Sequence, residues 1–136
     1  MKTEKIIDGE TILAIIVRND DWQDGLNFIS SEKDYAQVGF WDYKKGQKLS
    51  AHIHLNSPRL AQKTQEVIFV KQGSLRADIY NLQEKFLQAV ELRSGDTAIF
   101  LNGGHGYEIL EDDTEVLEVK NGPYAGAEKD RKRINT

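Results

Sequence analysis

Gly46-Gln47-Lys48-Leu49-Ser50-Ala51-His52-Ile53-His54, then Glu66-Val67-Ile68-Phe69-Val70-Lys71-Gln72-Gly73 after a polar gap, is the stretch on which the fold is read. If the first half is extended, His52 and His54 leave the same face of the strand, because side chains at i and i+2 share one side of the pleat. Two imidazoles so placed can converge on one ion. The chain has three histidines in all, and the third, His105, lies in Asn102-Gly103-Gly104-His105-Gly106 on what reads as the far wall of the same domain. Glu66 opens an apolar run between them.

The spacing carries more than the residue types. Gly46 is followed by five residues and then His52-x-His54, and Glu66 by six residues and then Gly73. Downstream, Gly95-Asp96-Thr97-Ala98-Ile99-Phe100-Leu101-Asn102-Gly103-Gly104-His105 repeats a glycine-to-histidine pattern. These segments resemble the two motifs of the cupin superfamily, over about the central two-thirds of the chain. The sequence departs from that pattern in two places. Leu101 stands where the family usually has proline, and eleven residues separate His54 from Glu66, where the family has only a few. The resemblance implies an all-β, single-domain cupin jelly-roll β-barrel. It also implies a divalent metal ion (Mn, Fe, Ni, Co or Zn) held by His52, His54, Glu66 and His105, and a homodimer. The superfamily spans enzymes, binding proteins and storage proteins, so the fold alone does not fix the function.

Composition sets the outer bounds. A chain of 136 residues suits one domain large enough to bury a core. With 39% hydrophobic and 29% charged residues it is not the composition of a disordered chain. No cysteine is present, which excludes disulfides and thiolate metal sites and leaves imidazole and carboxylate as the strong protein ligands. A net charge of −4 argues against nucleic-acid and anionic-membrane partners. The longest strongly apolar run, Ile12 to Val17, is too short to span a bilayer. The first residues alternate Lys and Glu with no basic-to-apolar leader pattern, so the reading assigns a cytoplasmic location.

Read in order, the chain is strand after strand. Glu4–Ile7 and Thr11–Arg18 flank Asp8-Gly9 as a hairpin. Trp22 to Ser31 reads as a loop with apolar anchors, and Tyr35 to Tyr43 as a strand. Leu55 to Lys63 reads as a loop over the barrel mouth. Thr64–Val70 and Ser74–Tyr80 read as a hairpin about Lys71-Gln72-Gly73. Phe86–Leu92 and Thr97–Leu101 follow, and then His105–Glu111 with Thr114–Lys120 as a last pair. Residues 1–124 form the barrel with its N-terminal hairpin, and 125–136 a basic C-terminal tail. Short strands with turn signals at regular spacing favour a sandwich or barrel.

Four such ligands would leave coordination positions open for water, a bidentate substrate or dioxygen. A site of net positive charge favours an anionic or hydroxyl-rich ligand. Arg59 and Lys63 on the mouth loop add to that field if they fold inward, and Tyr107 lies beside His105 as a further substrate-binding candidate. A small carbohydrate-like substrate fits these features. Two functions follow as expectations. One is a metal-dependent enzyme, either an isomerase or epimerase, or an Fe-dependent dioxygenase. The other is a non-catalytic module that binds a sugar or small anion. Tyr43, Asp42 and Tyr107 are all open as the general base.

Overall fold

The computed structural model describes residues 1–135. Their strands are β1 (Glu4–Asp8), β2 (Thr11–Val17), β3 (Gly25–Phe28), β4 (Gly39–Asp42) and β5 (Glu66–Gln72). Then come β6 (Ser74–Tyr80), β7 (Phe86–Arg93), β8 (Thr97–Phe100), β9 (Gly104–Ile109) and β10 (Glu115–Lys120). One short helix, α1 (Ala127–Asp130), follows. The protein is all-β, as its short apolar runs and turn residues predict.

The strands form a five-stranded sheet in the order β1-β2-β8-β5-β10, a three-stranded sheet in the order β7-β6-β9, and the pair β3-β4. The two larger sheets share a core. Leu13, Ala14, Ile16, Ile68, Val70, Ala98 and Phe100 of the first pack with Leu75, Ala77, Ile79, Val90 and Leu92 of the second. A smaller cluster of Ile15, Ile99 and Leu101 lies on the outer side of the five-stranded sheet. Ile29 and Val38, which flank the β3-β4 pair, cover it. β2 and β8 are thus buried on both faces, which is why they read as continuous apolar runs rather than alternating ones.

The N-terminal hairpin forms as expected, with Asp8 opposite Thr11. Two other expected hairpins do not. β5 and β6 follow each other directly, yet β5 pairs with β8 and β10 while β6 pairs with β7 and β9. Gly73 lies between them at φ 80° and turns a corner from one sheet to the other. β9 and β10 part in the same way, joining β6 and β5 respectively. The two corners touch: a Cβ at Gly73 would lie 2.9 Å from the Cα of Thr114. Both chains leave at once because each inward row, Glu66-Ile68-Val70 and Leu75-Ala77-Ile79, needs its own sheet to face the common core.

Three other expectations change. The loop expected over Trp22–Ser31 contains β3, paired with β4 from Gly25↔Asp42 to Phe28↔Gly39. Its anchors Leu26 and Phe28 remain exposed, and Trp22 meets Phe40 edge-on at 4.9 Å. The strand expected over Tyr35–Tyr43 shrinks to Gly39–Asp42 because Gln65 binds the backbone N–H groups of Tyr35 and Ala36, at 2.8 and 2.9 Å. Most consequentially, no strand lies between Asp42 and Glu66, and every residue from Trp41 to Lys63 is exposed.

A buried carboxylate fixes the join between β2 and β8. Asp96 accepts from Asn19 N at 3.0 Å, Arg93 N at 2.9 Å and Arg18 Nη1 at 2.9 Å. Arg18 also holds Glu4 at 2.6 Å, tying β1 to the same corner.

Candidate functional site

Glu66 begins β5 and is the first residue of that strand's inward row, ahead of Ile68 and Val70. A carboxylate in this position faces the core and must find partners or give up its charge. It finds them on β9, across the gap between the sheets. His105 Nε2 lies 3.2 Å from Glu66 Oε2, and Tyr107 donates its hydroxyl to Glu66 Oε1 at 2.8 Å. His105 and Tyr107 alternate onto the inward face of β9 because they stand opposite the buried Ile79 and Ala77 of β6. Glu108 falls between them and faces outward, opposite Arg76, as the alternation predicts.

Aromatic rings back the carboxylate. The ring of His105 lies 4.5 Å from that of Phe100 and 5.2 Å from that of Tyr107, centroid to centroid. Phe100 sits opposite Glu66 in the β5-β8 ladder, and Lys120 sits opposite it in the β5-β10 ladder. Glu118, two residues before Lys120 on β10, points to the same side and lines the same space as Glu66.

These surroundings separate the acids. Burial pushes the Glu66 carboxyl up. Hydrogen bonds from His105, Glu118 and Tyr107, together with the charge of His105, outweigh burial and hold it at about 2. Glu118 is pushed up, first by its hydrogen bond to Glu66, then by burial and the charge of Glu66. The hydroxyl of Tyr107 is pushed well above its ordinary range by burial and by the neighbouring Glu66, so it remains a donor. Glu66 is therefore the fixed negative charge of the site.

The group lines an open cavity of about 960 Å³ between the sheets. Its lining carries both signs of charge, with Lys63, Lys120, Arg131, Lys132 and Arg133 beside Glu66, Glu84, Glu118 and Asp130, and Lys132 pairs with Glu84 at 3.0 Å. The ammonium of Lys63 donates to the Asn102 side chain. The basic segment expected to form a surface tail thus contributes to the cavity wall. Asp130 accepts a hydrogen bond from Thr64, and the side chain of Ile134 packs against Gly104, where a Cβ would collide with it.

Of the residues singled out from the sequence, Glu66, His105, Tyr107 and Lys63 come together here. His52, His54 and Arg59 lie on the exposed 43–63 stretch and do not line the cavity. Among the described residues, no group of three or more His, Cys, Asp or Glu side chains is gathered to hold a metal ion. His52 and His54 are thus placed apart from Glu66 and His105, which bond to each other.

Sequence reasoning passed over Glu118, Lys120 and Asn102. The signal for the first two was present, since Val116, Glu118 and Lys120 alternate with Leu117 and Val119. Gln65 is a buried bracket that accepts from the backbone N–H groups of Tyr35 and Ala36 and donates to Leu101 O at 3.4 Å. No protein-family model matches the chain, and no curated protein or solved structure matches it.

Proposed function

We propose that the protein takes a small, hydroxyl-rich anionic ligand of carbohydrate type into the cavity between its sheets, with His105 as the proton-transferring group. The observation that carries this reading is the Glu66–His105 pair. A carboxylate held at about 2 is a poor base, but it is a good orienter of an imidazole. With Nε2–H donated to Glu66, a neutral His105 keeps its lone pair on Nδ1. The ring is still partly exposed, at 26% of its side-chain surface, so it is reachable from the cavity.

On this reading the basic side chains of the lining attract the ligand and Lys63 pairs with its anionic group. Nδ1 of His105 then removes the proton from the hydroxyl-bearing carbon beside the ligand's carbonyl and returns it to the carbonyl carbon, while the hydroxyl proton passes to the carbonyl oxygen, which is an isomerisation. Glu66 stabilises the imidazolium formed in between, and the protonated Tyr107 keeps Glu66 in place. A non-catalytic binding module uses the same contacts without the transfer.

The divalent-ion reading asks more of the chain, because His52 and His54 would have to leave the exposed stretch and reach Glu66 and His105. No step above depends on it.

Calorimetric titration with glucuronate and glucose 1-phosphate tests the binding. The expected result is saturable binding that Lys63→Ala weakens about tenfold, equivalent to about 1.4 kcal/mol. Deuterium uptake from heavy water into a bound keto sugar tests the transfer. His105→Gln is expected to slow it by about 10²–10⁴-fold. Binding without uptake leaves the module reading, and absence of binding to every anion removes both.

A further inference from the structure

The stretch from Trp41 to Lys63 is exposed at every residue, yet it carries apolar side chains among its polar ones. Ile53 and Leu55 are 86% and 82% exposed, and Leu49 is 48% exposed. Their order matters. Leu49, Ala51, Ile53 and Leu55 alternate with Ser50, His52, His54 and Asn56. That is the period of a strand with one apolar and one polar face. The rings of His52 and His54 lie 5.0 Å apart, as two side chains on one face of such a strand would. What the segment lacks is a neighbouring strand.

Two free strand edges border the cavity, β9 in the three-stranded sheet and β10 in the five-stranded one. They differ in what their outer faces offer. On β10, Leu117 and Val119 point outward and are 59% and 53% exposed, next to Phe69 and Val67 of β5 in the ladder. On β9 the outward positions are Gly106 and Glu108, beside Asp78 and Arg76 of β6. A strand with one apolar face continues the first surface and not the second. The lengths agree as well, since residues 49–55 would run along the six residues of β10. An unpaired edge that is also apolar on its outer face is a template for strand addition.

We infer that residues 49–55 of one copy add as a strand to the free edge of β10 of a second copy. In a single chain the segment joins neither sheet, and its large apolar residues stay exposed. Exchange between two copies satisfies both chains symmetrically. The apolar face of the segment then joins Leu117 and Val119. His52 and His54 fall on the opposite face, the side of Glu118 and Lys120, and so join the wall of the partner's cavity. Dimerisation through the N-terminal hairpin would be a different arrangement, made at the outer edge of β1, since β2 is flanked by β1 and β8. The inference stands whether or not the cavity carries out proton transfer.

The absence of cysteine makes a direct test available. Ile53→Cys and Leu117→Cys, both at exposed positions, are purified separately, mixed, and treated with a short bifunctional thiol reagent. The expected product is a covalent dimer that neither variant gives at comparable yield alone. Three results would overturn the inference. One is crosslinking only within a single chain carrying both changes, which places the segment on its own β10. Another is crosslinking of Ile53→Cys to Glu108→Cys in preference to Leu117→Cys, which places it on β9. The third, in the unaltered protein, is a monomer by light scattering with amides 49–55 exchanging as fast as an unstructured peptide. Slow exchange of alternate amides in 49–55, together with a dimeric mass, supports it.

Discussion

At the scale of single residues, the site is an answer to one buried charge. Glu66 occupies a core-facing position where the sequence otherwise places Ile and Val, and Tyr107 and His105 are positioned to receive it. A carboxyl depressed to about 2 from its ordinary 4.5 has a definite pH signature. The negative form is favoured by folding, so its contribution is fully present above the unfolded value and is lost as pH falls through the folded one. Glu118 shifts the other way, but below about pH 4 it is largely protonated in both states and drops out of the comparison. Urea unfolding should therefore show the wild type losing stability faster than Glu66→Gln between about pH 4 and pH 2. Parallel slopes would mean that Glu66 is not held as an anion. Glu66, His105, Tyr107 and Lys63 were legible in the sequence because glycine spacing and scarce histidines mark them. Glu118 and Lys120 were harder to see, since their roles depend on which strand lies beside β5, a nonlocal fact.

At the scale of elements, strand existence was more legible than strand pairing. The runs at Glu66–Gln72 and Ser74–Tyr80 are plain in the sequence, with Lys71-Gln72-Gly73 at their junction. A glycine between two strands usually signals a hairpin, yet here it signals a corner. Only the core, which needs one inward row from each sheet, decides between the two. Gly73 has φ 80° and no room for a side chain beside Thr114. Gly73→Ala should combine left-handed strain of about 1–3 kcal/mol with a backbone clash. The expected result is a loss of stability of at least about 2 kcal/mol in chemical denaturation. A change near zero would show that the corner can relax. Gly9→Ala offers a control, because φ is also positive there but nothing lies within 4 Å of its Cβ. The expected His52–His54 strand fails as an element for another reason. Alternation specifies a strand's faces but supplies no partner, and a lone chain leaves that segment unpaired.

At the scale of the whole molecule, two sheets packed through Leu13, Ile68, Leu75 and Leu92 hold β5 and β9 at the separation the Glu66–His105 bond requires. The all-β class was legible because apolar runs are short and turns frequent. The arrangement into five-, three- and two-stranded sheets was not, because it depends on contacts far apart in sequence. The same packing leaves β9 and β10 as edges around the cavity and brings residues 131–134 to its rim. The central claim is that ligands enter this cavity and meet His105. A chain with three histidines gives three imidazole Cε1–H signals, which single substitutions can assign. The measurement is the position of those signals as glucose 1-phosphate is added at neutral pH. The account predicts a saturable shift of the His105 signal, with a midpoint matching the calorimetric one and moved to higher concentration by Lys63→Ala. Ligand binding with the His105 signal unmoved would contradict it.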